Sequence, residues 1–336
     1  MDLIIQDSSL RDGNHAIKHQ LKISDVKSYC LAADKAGVPI VEVGHGNGLG
    51  ASSLQVGLSL ETETSLLEAA RSTLVSSKLA VHMIPGFSTI NRNLQKAIDI
   101  GVDVVRVGCH CTEADTTKRY IEYLKERDIE AVGSLMMSHS VNKEILVEEA
   151  LKMQKYGATG VSLYDSAGSY LPKDVQEKVS FLSENLDISV GFHAHNNLGM
   201  GIANSLTAYQ SGAKIIDGSI LGFGAGCGNA QLEVIVAVFQ KMGIDTGIDL
   251  YGILDCADLA KDLFIKEIPS IKPVGIVSGL SGVFSGFIKH VEKISSQYNV
   301  DPRDVFFELG KRKVVAGQED LIIEVAAEIK SKNINA

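Results

Sequence analysis

Two histidines stand two residues apart in Gly191-Phe-His193-Ala-His195-Asn-Asn197, directly after the strand-like run Ile188 to Gly191. Side chains at i and i+2 of an extended strand point to the same side, so His193 and His195 offer two imidazole nitrogens from one rigid element. A hard, anionic third ligand is available near the N-terminus, at Asp12 of Ser9-Leu10-Arg11-Asp12-Gly13. Two histidines and one carboxylate, with coordination positions left over, suit a divalent Mn, Fe, Co or Mg better than a closed structural zinc. The competing reading is a pair of hydrogen-bonded histidines in a polar loop. The loop around Asp12 adds two further reactive types. Arg11 carries a planar donor fork suited to a carboxylate or enolate oxygen, and His15 titrates where a proton can be moved near neutrality. Taken alone, that loop reads as a solvated charged turn.

Residues so far apart in sequence can meet only if the fold gathers their loops at one place. Short apolar runs alternate with longer amphipathic stretches along the chain. Strands are expected at Leu3 to Gln6, Pro39 to Val43, Leu79 to Ile84, Val102 to Val107, Glu130 to Met137, Gly160 to Tyr164, Ile188 to Phe192 and Lys214 to Gly218. Helical patterns follow each one, punctuated by Gly37, Gly101, Gly157 and Gly212. About eight such units in roughly 240 residues is the size of a parallel (β/α)8 TIM barrel; a doubly wound open sheet is the alternative. The barrel is preferred because polar, glycine-rich loops recur after the strands, and a barrel brings these to one mouth. The expected division is a catalytic barrel over 1–243 and a helical C-terminal domain over 244–336, with helices near Asp249 to Ile265, Gly282 to Asn299, Pro302 to Leu309 and Glu319 to Lys330, and Pro269 to Gly275 as a connector.

With 45% hydrophobic and 22% charged residues, the 336-residue chain has the composition of an ordinary soluble protein. A formal charge of −9 argues against a nucleic-acid backbone or an anionic membrane as main partner. No apolar run reaches the roughly 18 residues of a membrane span, and Met1 leads into a strand with no basic leader. Five scattered cysteines (Cys30, Cys109, Cys111, Cys227 and Cys256) fit reduced thiols in a cytoplasmic protein. Cys109 and Cys111 flank His110, a weak candidate for a soft metal site. Gly44 to Gly50 lacks the Lys-Ser/Thr of a phosphate loop and reads as a mouth loop, in which His45 is more simply structural than site-facing. Asp217, at a strand end, is a candidate support behind the ligands; Glu233 receives no role.

Leu10-Arg11-Asp12-Gly13 after the first strand, the late His193-Ala-His195 strand and the Gly-Asn loop after the last strand together resemble the DRE-TIM metallolyases. Within them, Arg11-Asp12-Gly13 followed by His15-Ala16, and Gly224-Ala-Gly-Cys-Gly228-Asn229-Ala-Gln-Leu-Glu233, look like the 4-hydroxy-2-oxovalerate aldolases, over essentially the whole chain. The resemblance implies that Asp12, His193 and His195 hold Mn²⁺ (Mg²⁺ or Co²⁺ as alternates), with Asn229 as a further ligand or a partner of one. An N-cap role is the simpler alternative for Asn229. It implies that the metal chelates a 2-oxo acid beside Asp12 and His193, that Arg11 neutralises the developing oxyanion, and that His15 takes the proton from the C4 hydroxyl. Ser166, in Tyr164-Asp165-Ser166-Ala167-Gly168, matches a substrate-contacting serine or is merely small in a tight turn. Val314-Val-Ala-Gly-Gln-Glu-Asp320 resembles the segment that docks an acylating aldehyde dehydrogenase, which implies that partner and a homo- or hetero-oligomer.

The sequence departs from the family pattern in three places. Phe284 stands where the aldolases carry a substrate-facing tyrosine, which keeps a ring against the substrate and removes a hydroxyl. Asn47 replaces the usual aspartate, and Leu54-Gln55-Val56 is not the usual aromatic and polar stretch. These changes fall where an aldehyde half would bind. The expected activity is reversible retro-aldol cleavage of a 4-hydroxy-2-oxo acid to pyruvate and an aldehyde. A Claisen-type acyl-CoA synthase or lyase is disfavoured by the missing Glu-Gln after Arg-Asp-Gly. A non-catalytic scaffold is disfavoured by the intact Arg11, Asp12, His15, His193 and His195.

Overall fold

A computed structural model describes residues 3–315 and 317–334 of the chain. Eight parallel strands, β1 (Ile4–Leu10), β2 (Ile40–Val43), β3 (Lys78–Met83), β4 (Val104–His110), β5 (Glu130–Met136), β6 (Gly160–Asp165), β7 (Ser189–Ala194) and β8 (Ile215–Gly218), close into a barrel in sequence order, with β1 pairing both β2 and β8. The helices of the repeat are α1 (Ile23–Lys35), α2 (Glu63–Arg71), α3 (Gln95–Ile100), α4 (Lys118–Lys125), α5 (Lys143–Tyr156), α6 (Pro172–Asn185), α7 (Gly201–Gln210) and α8 (Leu232–Lys241). The strands are β-branched and buried on both faces, as an inner sheet sheathed by helices requires.

The barrel interior is layered by the two-residue alternation of its strands. At the N-terminal end, Ile4, Ile40, Ala80, Val104, Val132 and Ile215 form an apolar plug of their own. One step toward the mouth, the inward positions turn polar: Glu42, His82, Arg106, Ser134, Ser162, His193 and Asp217, each buried. Barrel interiors are ordinarily filled by branched aliphatic residues, so this charged layer marks the end where chemistry is done. The pairing of β1 with β2 slips between Asp7 and Leu10, where three residues of β1 span two of β2. Such a bulge bends a strand and re-aims its end, which here points Arg11 and Asp12 over the mouth.

The C-terminal part contains α9 (Leu250–Leu263), α10 (Pro273–Ser281), α11 (Ile288–Tyr298), α12 (Pro302–Lys311) and α13 (Asp320–Ile334). α9, read from sequence as part of the C-terminal domain, buries Ile253, Cys256, Ala257 and Ala260 in the barrel's own core. The later helices build a separate core from Val283, Phe287, Val291, Phe306, Leu309, Ile322 and Val325. The sequence pattern anticipated a connector ending at Gly275 and one helix from Gly282 to Asn299. Instead Pro273 starts α10 and Gly282, at φ +64°, ends it. Gly275 and Gly279 weaken the helical signal, yet they let α10 lie close to the barrel. A Cβ on Gly275 would collide with Cys227 Sγ, and one on Gly279 would lie 3.0 Å from Leu198. No helix among the described residues is long and apolar enough to cross a membrane.

Candidate metal centre

Asp12 opens a short 3-10 turn, Asp12–His15, at the tip of β1. His193 projects from β7, and His195 follows it at a bridge to Asn229. The ligand atoms of Asp12, His193 and His195 lie within 4.8 Å of one another. Among the described residues this is the one group of three or more His, Cys, Asp or Glu that converges so closely. The Cys109-His110-Cys111 run does not: Cys111 Sγ lies 3.3 Å from the Met137 carbonyl, and all five thiols are free and buried.

The hydrogen bonding leaves the right atoms bare. His193 Nδ1 bonds Asp217 Oδ2 at 2.9 Å, while its Nε2 is buried without a partner; His195 Nδ1 is likewise without one. Asp12 Oδ1 accepts from Arg11 Nη1 at 2.9 Å, and its Oδ2 accepts from Asn229 Nδ2 at 2.8 Å and Ala225 N at 3.2 Å. The Asn229 Oδ1 is left unpartnered. Asn229 is not an N-cap, since α8 begins at Leu232 with Gln231 before it. Buried polar atoms normally find partners. Two bare imidazole nitrogens and a bare amide oxygen beside a carboxylate therefore fit a divalent cation with nitrogen and oxygen ligands.

Charges behind the ligands hold them in place. Arg11 Nε bonds Glu42 Oε2 at 2.8 Å, and its Nη2 has no partner. Arg106, fully buried, sits 2.7 Å from Asp217 Oδ2 and 3.7 Å from Glu42 Oε2, with its guanidinium 4.9 Å from the Tyr164 ring centre. Tyr164 in turn stacks on His193 at 4.6 Å. The carboxylates of Asp12, Glu42 and Asp217 against the guanidiniums of Arg11 and Arg106 leave one net negative charge. A dication would turn the set to one net positive, a good host for one substrate carboxylate. Burial opposes ionisation of Asp12, but Arg11 and the imidazoles override it and hold the carboxyl well below the usual range. Burial, only partly offset by Asp12, takes His195 down to about 3.

His15 is half-buried with its ring over Gly46, whose Cβ would lie 2.5 Å from its Cδ2. Its ring nitrogens have no hydrogen-bond partner among the described residues. Burial, against the pull of Asp12, brings it down to about 4, so the ring is neutral at pH 7 with a nitrogen open to accept a proton. His19 and His45 stack beside it at 3.6 Å, and both bridge backbone groups: Gly46 N and Val56 O for His19, Asn47 N and Gly57 O for His45. Lys289 of α11 donates to the carbonyls of His15 and Ala16 at 3.3 Å each.

Two residues singled out from the sequence as substrate contacts have protein partners of their own. Ser166 accepts from Met137 N at 3.0 Å and gives its carbonyl to Ser285 N, tying β6 to the C-terminal helices. Phe284 lays its ring over Gly286 and against Phe287, 5.9 Å between centroids, at the edge of the C-terminal core. Glu233 braces the loop after β8 by accepting from Leu221 N at 3.0 Å. Glu42, Arg106 and Tyr164 went unremarked in the sequence. For Glu42 and Arg106 the signal was there, in a charge set within Ile40-Val-Glu-Val43 and Val104-Val-Arg-Val107.

The sequence matches the HMGL-like family over residues 2–260 and the DmpG-like communication domain over residues 269–331. The 4-hydroxy-2-oxovalerate aldolase of Spirochaeta aurantia is 59% identical over 330 residues, covering 98% of this chain and 97% of its own. That of Pectobacterium atrosepticum is 55% identical over 334 residues, covering 99% and 97%. The carboxyl transferase domain of Rhizobium etli pyruvate carboxylase shares the fold, with a TM-score of 0.80 at 14% identity over 98% of this chain and 60% of that one. By this full-length similarity, the chain belongs to the HMGL-like family and, within it, to the 4-hydroxy-2-oxovalerate aldolases with a DmpG-like communication domain.

Proposed function

We propose that the protein is a divalent-metal-dependent pyruvate aldolase, a carbon–carbon lyase that cleaves a 4-hydroxy-2-oxo acid reversibly to pyruvate and an aldehyde. The observation that carries this reading is the set Asp12, His193 and His195, with bare nitrogens converging beside the unpartnered Nη2 of Arg11. Asp12, His193 and His195 would hold the cation, with Asn229 Oδ1 beside them. When bound, it supplies Lewis-acid polarisation of the 2-oxo acid. Mn²⁺ is the cation favoured, with Mg²⁺ or Co²⁺ as alternates.

The chain's own residues do the rest. Arg11 Nη2 donates to the C2 oxygen as negative charge develops there, the kind of preorganised donor that stabilises an oxyanion. His15 takes the proton of the C4 hydroxyl, the C4–O bond becomes the aldehyde carbonyl, and the C3–C4 bonding pair passes into the pyruvate enolate. A proton from water at C3 then gives pyruvate, and His15 releases the proton it took to the hydroxide left behind. Ser166, at the mouth, contacts the substrate, and Phe284 closes the site without a hydroxyl to offer. The communication domain favours an acylating aldehyde dehydrogenase as partner in a cytoplasmic oligomer.

The test is the purified protein with Mn²⁺ and a lactate dehydrogenase-coupled pyruvate assay over several 4-hydroxy-2-oxo acids. Metal-dependent pyruvate release from at least one is expected; release from none overturns the reading.

A further inference from the structure

His82 is a buried imidazole that the reaction above does not use. It alternates on β3 with Ala80 of the apolar plug, so its side chain points inward, beside Arg106 in the register of β3 and β4. It is 2% exposed, its Nδ1 is buried without a hydrogen-bond partner, and its Nε2 has none among the described residues. Leaving a buried polar ring unpaired costs stability, and such groups in native proteins call for an explanation. The ring leans over Gly108, where a Cβ would lie 2.7 Å from His82 Cε1 and 2.9 Å from Nε2. Gly108 stands two residues nearer the C-terminal end of β4 than Arg106, so the Nε2 edge faces the mouth. No side chain at 108 fills the space in front of it.

Its surroundings place it in the reacting sector. Tyr164 stacks against His82 at 6.0 Å and against the ligand His193 at 4.6 Å. The loop after β2 rests on β3 through Leu49 N to His82 O at 2.8 Å, and the same loop carries Gly46 under the ring of His15. His82 and His15 thus border one sector of the mouth. In the proposed reaction His15 serves the C4 hydroxyl, so the aldehyde half extends into that sector.

We propose that His82 hydrogen-bonds a hydroxyl group on the aldehyde half of the substrate, so that the enzyme prefers a short 2-hydroxyaldehyde to an alkanal of the same size. The inference rests on the aldolase reading above. A neutral imidazole has one donor and one acceptor, which a hydroxyl matches; burial, reinforced by Arg11 and Arg106, keeps this ring neutral. A second carboxylate is the poorer fit. One substrate carboxylate already balances the single net positive charge of the metal-loaded site, and another would lie uncompensated in a buried place.

Glycolaldehyde and propanal, which differ by a hydroxyl in place of a methyl, separate the possibilities. Initial rates of their condensation with pyruvate on the Mn²⁺-loaded enzyme are expected to give a higher kcat/KM for glycolaldehyde. His82→Leu is expected to lower that value roughly threefold to tenfold, the range one hydrogen bond carries, while propanal stays within about twofold. His82→Gln, which keeps a donor and an acceptor, should recover part of the loss. Deuterium exchange into the pyruvate methyl, read by NMR, reports whether each variant still binds and enolises pyruvate; if the Leu variant fails it, the Gln variant carries the comparison. Equal losses for both aldehydes, or a parent enzyme that prefers propanal, overturn the inference while the aldolase reading stands. A parent enzyme that neither exchanges nor condenses pyruvate overturns the aldolase reading, and this inference with it.

Discussion

Replacing Asp217 by asparagine keeps the side chain's size and removes one negative charge from behind His193. Its Oδ2 lies 2.9 Å from His193 Nδ1 and 2.7 Å from Arg106 Nη2, and all three side chains are buried. The carboxylate orients the His193 ring, turning Nε2 toward Asp12 and His195, and makes that nitrogen the better ligand. An amide oxygen in the place of Oδ2 can keep both contacts, with its NH₂ at the unpartnered Oδ1 position, but it lacks the charge that makes His193 the stronger ligand and balances Arg106. Two unit charges about 3 Å apart at an effective dielectric near 20 attract by about 5 kcal/mol. Most of that offsets the desolvation of the pair, and only the remainder reaches the metal. Removing such an outer partner typically weakens metal binding 10- to 100-fold, about 1.4–2.8 kcal/mol. Titration of metal-stripped Asp217→Asn with Mn²⁺ by calorimetry, with circular dichroism to verify the fold, is therefore expected to show a Kd raised about 10- to 100-fold. A Kd within about twofold of the parent would refute the claim that Asp217 acts through His193.

Three further outcomes follow from the same geometry. His15→Ala should lower kcat/KM by about 10²–10⁴, the usual worth of a general base, and leave Mn²⁺ affinity nearly unchanged; a loss under tenfold in the coupled pyruvate assay would remove His15 from the reaction. Burial holds His139 near 4 and His19 near 3, against 6.5 for a free imidazole. Below pH 6.5 the unfolded chain therefore binds protons that the folded one refuses. Stability should be full above about pH 7 and fall steadily from 6.5 toward 4, and denaturation midpoints of metal-free protein that stay level from pH 8 to 4 would contradict this. Gly275→Ala should destabilise by about 1–3 kcal/mol through collision with Cys227 Sγ, and adding Cys227→Ala should recover much of the loss in the same denaturation experiment.

Some of the architecture was legible because it is written in local signals. Val104-Val-Arg-Val107 and Ile40-Val-Glu-Val43 are continuous β-branched runs, as strands buried on both faces must be. Gly101 and Gly157 end their helices in the left-handed conformation that glycine adopts freely. Helix α10 was not legible. Its glycines read as breakers, and what repays them is the close approach to Cys227 and Leu198, a contact invisible along the chain. The slip in β1 was equally hidden, since a bulge is defined by the partner strand and not by Asp7 to Leu10 alone.

The site divides in the same way. The chain by itself determined the chemistry on offer: two imidazoles on one side of a strand at His193 and His195, and an arginine, an aspartate and a histidine within five positions at Arg11, Asp12 and His15. Residue type and the two-residue repeat are local properties, and they suffice for that much. Only the tertiary structure decided which nitrogens stay bare, that Glu42, Arg106 and Asp217 form the charged layer beneath them, and that His82 is buried beside Arg106 with its Nδ1 unpaired. The reason is closure. Pairing β1 with β8 brings the first strand beside the last, and the register of each pair then sets which buried charge meets which. Those relations depend on all eight strands at once, and no single stretch of sequence contains them.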